Sequence, residues 1–81
     1  SPSYISRIFS EKIGIEFVEF INSQRIDQAC KLLKFSNMTI TEIKYACGFK
    51  SQATFNRCFK KLLGTTPQAY RKMNSENQKN Q

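Results

Sequence analysis

The sequence contains no histidine and no tryptophan, only three glycines and two prolines, and six acidic residues against thirteen basic ones. Each scarcity excludes something. Without histidine, without a glycine-rich phosphate loop and without a nucleophile at a recognisable distance from a base, the chain is not expected to be an enzyme. Cys30, Cys47 and Cys58 form no C-x-x-C pair. Three scattered thiols lack a fourth natural ligand, which argues against structural zinc, and no cofactor is expected. Lone cysteines among apolar neighbours fit a reducing, cytoplasmic setting. Cys47 beside Gly48 reads as small core filler in a turn, with redox sensing as the alternative. No apolar run reaches the length of a signal peptide or a membrane span. The shortage of acids leaves a net charge of +7 and a pI near 9.6. That balance suits a polyanion, nucleic acid before anionic lipid, although composition alone leaves a merely basic soluble protein open.

What is present is helical periodicity with few, well-placed breakers. Eighty-one residues make one small domain, or two very small lobes sharing a helix, with a modest core. Ser1-Pro2 reads as a cap and first helical position, Ile5, Ile8, Phe9 and Ile13 recur at helical spacing, and Gly14 reads as a stop. From Glu16 to Lys34 there is no breaker, and the apolar residues form two stripes rather than one, as in a helix packed on two bodies. Phe35 to Met38 reads as a loop. Thr39 and Glu42 have capping-box spacing, Gly48 is a break, Ser51 is the next cap, and Phe55, Cys58, Phe59, Leu62 and Leu63 form a stripe ending at Gly64. Thr66-Pro67 opens a last short helix. The polar segment 74–81 lacks periodicity and reads as a disordered tail. The expectation is an all-α chain with helices near 2–13, 16–34, 40–47, 52–63 and 67–73, and no strand.

Shifted by 50 positions the chain overlays on itself, SPSYISRIFSEKIG (1–14) on SQATFNRCFKKLLG (51–64). Ser1 matches Ser51, Arg7 matches Arg57, Phe9 matches Phe59 and Gly14 matches Gly64; beyond the glycines Phe20 pairs with Tyr70. Shared core spacing explains the apolar matches but not the two arginines, which lie off the stripe. Ahead of Ser51, TITEIKYACGF supplies a capped helix and a glycine turn, the helix-turn-helix pattern. By the repeat a similar helix should precede Ser1, so the chain is expected to begin inside a first, incomplete helix-turn-helix and to belong to a longer protein.

These segments resemble the AraC family of bacterial transcription regulators. SPSYISRIFSEKIG is similar to the family's first recognition helix, FVEFINSQRIDQACKLL to its linker helix, and ITEIKYACGFKSQATFNRCFKKLLGTTPQAYRK to its signature segment. The resemblance implies two helix-turn-helix lobes joined by a long helix, each placing a helix in the major groove of double-stranded DNA, with an effector or dimerisation domain elsewhere in the full-length protein. Residues 1–14 would then be the recognition helix of the incomplete first lobe, 15–35 the linker and 39–73 the second lobe. A linker of about 28 Å (19 residues at about 1.5 Å each) suits recognition helices about 34 Å apart.

With Phe55, Cys58, Phe59 and Leu62 facing inward, Gln52, Ala53, Asn56, Arg57 and Lys60 face outward. Arg suits guanine, Asn or Gln suits adenine, and Ala suits a thymine methyl, which makes Gln52, Ala53, Asn56 and Arg57 candidate base readers. Ser51, Thr54, Lys60 and Lys61 are candidate phosphate contacts. The first helix offers Ser3, Ser6, Arg7 and Ser10 at matching positions, with Arg7 the one strong reader. Arg25 is equally suited to a local acid and to DNA. Lys31, Lys34, Lys44, Arg71 and Lys72 read as general surface charge, and Phe9, Phe17, Phe20, Phe55 and Phe59 as core. The rival function is a cationic helical module for an acidic protein or a membrane surface, although a membrane partner is not expected because the apolar faces suit one another. Lacking the helices before it, the stripe Ile5, Ile8, Phe9 is expected to loosen or to self-associate.

Overall fold

The computed structural model describes residues 2–79. It contains four helices and, among the described residues, no strand: α1 (Pro2–Phe35), α2 (Ile40–Ala46), α3 (Gln52–Leu63) and α4 (Pro67–Lys79). The chain is all-α.

The second half follows its local signals closely. Thr39 accepts from the Glu42 backbone N–H while the Glu42 carboxylate accepts from the Thr39 N–H at 2.9 Å, completing the capping box of α2. The Thr39 backbone N–H, and then its side chain, hold the Glu42 carboxyl below its usual pKa. Gly48 adopts φ +92° and reverses the chain after α2. Ser51 Oγ then accepts from the Thr54 N–H at 3.0 Å to cap α3, and Gly64, at φ +75°, ends it in the left-handed region. Thr66 Oγ1 accepts from the Ala69 N–H at 3.1 Å, starting α4 behind Pro67. The polar segment expected to be disordered from Asn74 instead continues α4 to Lys79, with Asn74 Nδ2 donating to the Tyr70 carbonyl. Ser1, expected as a cap, and Asn80 and Gln81 of the expected tail lie outside the described residues.

The core sits where α2, α3 and α4 close on the second half of α1. Ile26, Ala29, Cys30 and Leu33 of α1 meet Ile43, Cys47, Phe49, Phe55 and Phe59, all buried. An aromatic ladder runs through it, from Phe49 to Phe55 (5.3 Å between centroids), Phe55 to Phe59 (6.0 Å) and Phe59 edge-on to Tyr70 (5.6 Å). Burying Phe55 and Phe59 contributes about 1.5–3 kcal/mol each. The ring contacts add roughly 0.5–1.5 kcal/mol apiece.

The first half departs from expectation. Gly14 does not stop a helix; α1 runs unbroken for 34 residues through it. The only described glycines at positive φ are Gly48 and Gly64, and no heavy atom beyond its own helix neighbourhood lies within 4 Å of where a Gly14 Cβ would stand. A helix end at Gly14 would forfeit backbone hydrogen bonds with no packing to offset them. Carrying glycine through the helix costs only about 1 kcal/mol. For the same reason three phenylalanines expected in the core are not there: Phe9, Phe17 and Phe20 are 62%, 63% and 59% exposed.

Candidate nucleic-acid interface

The helix pair α2–α3, joined by the Gly48 turn, presents the outer face of α3 on a rigid base. Phe55 and Phe59 anchor that helix from behind, and its caps at Ser51 and Gly64 fix both ends. Gln52, Ala53, Asn56, Arg57 and Lys60 are all exposed on the side opposite the anchors, as the spacing predicts. Gln52 Nε2 donates to Asn56 Oδ1 at 2.9 Å across one turn of this face. Lys61 is exposed beside it, Ser51 is exposed at its start, and Thr54 is half-buried, with Ser51 Oγ 3.3 Å from Thr54 Oγ1. The inward stripe is narrower than expected: Cys58 is half-buried and Leu62 is 49% exposed, both lining a small cleft against Glu19 and Asn22 of α1.

Ser3, Ser6, Arg7 and Ser10 are exposed along one stripe of α1. The Arg7 guanidinium lies 5.6 Å from the Tyr4 ring centroid. These residues precede every buried residue of α1, so the fold does not gather them with the α3 face into one site.

Arg25, and three of the side chains that read as general surface charge, are placed specifically. Arg25 pairs with no acid among the described residues' ion pairs; its guanidinium lies 5.8 Å from the Phe49 centroid and against Gly48. With Asn22, Phe49, Lys50, Ser51 and Thr54 it lines a cleft of about 380 Å³ of mixed polarity beside the start of α3. Lys44, expected at the surface, is buried at 6% exposure, with its Nζ 4.0 Å from the Tyr45 centroid. Lys34 Nζ lies over the Tyr70 ring at 5.7 Å. Arg71, also expected to be surface charge, donates to the carbonyls of Leu33 (3.2 Å), Met38 (2.6 Å), Ser36 (3.3 Å) and Leu32 (3.5 Å).

The thiols take no visible part in the exposed face. Burial pushes the pKa of Cys30 and of Cys47 up, which disfavours the reactive thiolate, and both lie in the core. No cluster of metal-ligating side chains occurs among the described residues. No helix of the described chain is long and apolar enough to cross a membrane.

Comparison with known proteins places this geometry in context. The profile of a helix-turn-helix domain family matches residues 1–73. An uncharacterized HTH-type transcriptional regulator of Staphylococcus aureus strain MSSA476 is 41% identical over 71 residues, 88% of this chain and 10% of that protein. The uncharacterized HTH-type transcriptional regulator YijO of Escherichia coli strain K12 is 36% identical over 72 residues, 89% of this chain and 25% of that protein. The chain thus spans about a tenth and a quarter of the length of these curated relatives. No solved structure matches.

Proposed function

Since the chain belongs to the AraC-type helix-turn-helix family of transcription regulators, we propose that it binds double-stranded DNA in a sequence-dependent way, laying α3 in the major groove. One observation carries this reading: the face of α3 opposite the Phe55 and Phe59 anchors is open, rigidly held and composed of Gln52, Ala53, Asn56, Arg57 and Lys60. A major groove admits an α-helix, and Arg, Asn and Gln can each make two-pronged contacts with base edges. Arg57 is assigned to guanine, Gln52 and Asn56 to adenine, and Ala53 to a thymine methyl. Ser51, Thr54, Lys60 and Lys61 are assigned to phosphates, which fix register without reading sequence. Ser3, Ser6 and Arg7 form a second, weaker reading stripe on α1. An effector or dimerisation domain would lie elsewhere in the full-length protein, in keeping with the greater length of the relatives.

The test is binding by the full-length protein to a duplex enriched from a randomised library and to unselected DNA, over a salt series. Arg57→Ala should cost about 1–3 kcal/mol on the enriched duplex and much less on unselected DNA. Lys61→Ala should weaken both alike and flatten the salt dependence. Equal losses on both DNAs for Arg57→Ala would reduce Arg57 to a phosphate contact. Tighter binding to acidic vesicles or polyglutamate than to any duplex would favour the rival cationic module.

A further inference from the structure

Arg25 is a half-buried cation for which the fold supplies no acceptor. Its guanidinium lies 5.8 Å from the Phe49 ring centroid, and a Cβ at Gly48 would stand 3.2 Å from its Nε, so the turn leaves it room. None of the hydrogen bonds or ion pairs of the described residues involves it. A guanidinium carries its N–H donors in a planar fork and accepts nothing. Those donors are open to a ligand, and the fork matches the oxygens of a phosphate.

The cleft of about 380 Å³ that Arg25 lines takes Asn22 from α1 as well, and Lys50, Ser51 and Thr54 from the turn and the start of α3. No acidic residue lines it, so two cations share it without a counter-charge. Lys50 and Ser51 are exposed, which opens that side to solvent. Ser51 Oγ is already engaged in capping α3, accepting from the Thr54 N–H at 3.0 Å. The charge of the cleft therefore resides in Arg25 and Lys50, not in the cap. We propose that Arg25, together with Lys50, holds one phosphate of the DNA strand that passes the start of α3. The proposal rests on the reading of the chain as a duplex binder and adds to it a contact from α1. A phosphate contact fixes orientation without reading sequence, and one made from α1 holds α3 in its groove from a second helix. A carboxylate of a protein partner would suit the same fork; the open face of α3 that begins beside the cleft favours the duplex.

Neutral phosphates test it, in the full-length protein with the duplex enriched from a randomised library. Methylphosphonate, which lacks the phosphate charge, is placed at one backbone position at a time. One position beside the bases read by α3 should cost the parent about tenfold in affinity. Arg25→Gln should lose about tenfold on the enriched duplex and on unselected DNA alike, and should lower the salt slope by about 0.9. In that variant the same methylphosphonate should cost no more than about twofold, because the contact is already gone. Arg57→Ala should leave its effect in place. Lys50→Gln, which keeps Arg25 beside Phe49, should weaken the effect about threefold, and it decides alone if thermal melting shows that Arg25→Gln does not fold. If the variants respond to every methylphosphonate as the parent does, the phosphate contact falls, while a loss confined to the enriched duplex for Arg57→Ala keeps base reading by α3. If no sequence is enriched, base reading fails, and the salt slope still decides: unchanged in Arg25→Gln, it overturns the contact as well. Weaker capture of polyglutamate by Arg25→Gln with no loss on any duplex would give the site to carboxylates and overturn the proposal.

Discussion

At the scale of single residues, Gly48 carries two constraints at once. Its φ of +92° is a conformation that side chains rarely adopt, and a Cβ built there would stand 3.2 Å from Arg25 Nε. The Arg25 guanidinium, 5.8 Å from the Phe49 centroid, is the far end of a flexible side chain and can give way, so the backbone conformation is the stronger of the two constraints. Gly48→Val adds a branched side chain to a left-handed backbone, a strain of about 1–3 kcal/mol, and displaces Arg25 as well. Thermal melting and DNA affinity should fall together, because the turn sets the angle between α2 and α3. A Gly48→Val protein that melts and binds like its parent would mean that the turn is not under this constraint. Gly14 makes the contrast: same residue type, matched to Gly64 by the internal repeat, yet helical and with nothing packed against it.

At the scale of elements, the Arg71 side chain hydrogen-bonds α4 to the end of α1. Helix α1 ends with carbonyls that have no partner further along the helix. Ser36 satisfies Leu32 O from its own N–H and hydroxyl. Arg71 then reaches back from α4 to Leu32, Leu33, Ser36 and Met38, placing its charge at the negative end of the α1 dipole. Arg71→Ala should cost about 1.5–3 kcal/mol in chemical denaturation, the value of charge-assisted hydrogen bonds left unmade. Arg71→Lys should recover only part of it, since an ammonium cannot fork to several carbonyls; full recovery would show that charge alone matters. The sequence made α2, α3 and the start of α4 legible because their ends are decided locally, by Thr39 with Glu42, Gly48, Ser51, Gly64 and Thr66. Arg71 looked like surface charge because its partners lie far off in sequence, and Lys44 because its burial depends on tertiary packing, for which periodicity carries no signal. The outer face of α3 was readable because it is the complement of a strong apolar stripe. The Gln52–Asn56 bond was not, because spacing permits such a pair without requiring it.

At the scale of the molecule, the two copies of the repeat differ in what covers them. The chain measures 60 × 22 × 17 Å with a radius of gyration of 16.4 Å, against about 12 Å expected of a compact domain of this length. The excess comes from α1, roughly 51 Å long at 1.5 Å per residue, whose buried residues all lie in its second half. Residues 2–20 are exposed throughout, including Ile5, Ile8, Phe9, Ile13, Phe17 and Phe20. Most helical stability in proteins comes from tertiary packing rather than from propensity, and this stretch, without packing, contains branched isoleucines and Gly14, both poorer helix formers than alanine. Its order must therefore propagate outward from the anchored segment around Ile26 to Leu33. Amide exchange, measured at a dilution where sedimentation shows a monomer, should give protection near the global value in 26–33 and 52–63 and a steady decline toward residue 2. Gly14→Ala should raise protection upstream of position 14 by about fivefold, the equivalent of about 1 kcal/mol, because nothing lies close enough to clash with the added methyl. Uniform protection along all of α1 in the monomer would instead mean that its first half is held by contacts of its own.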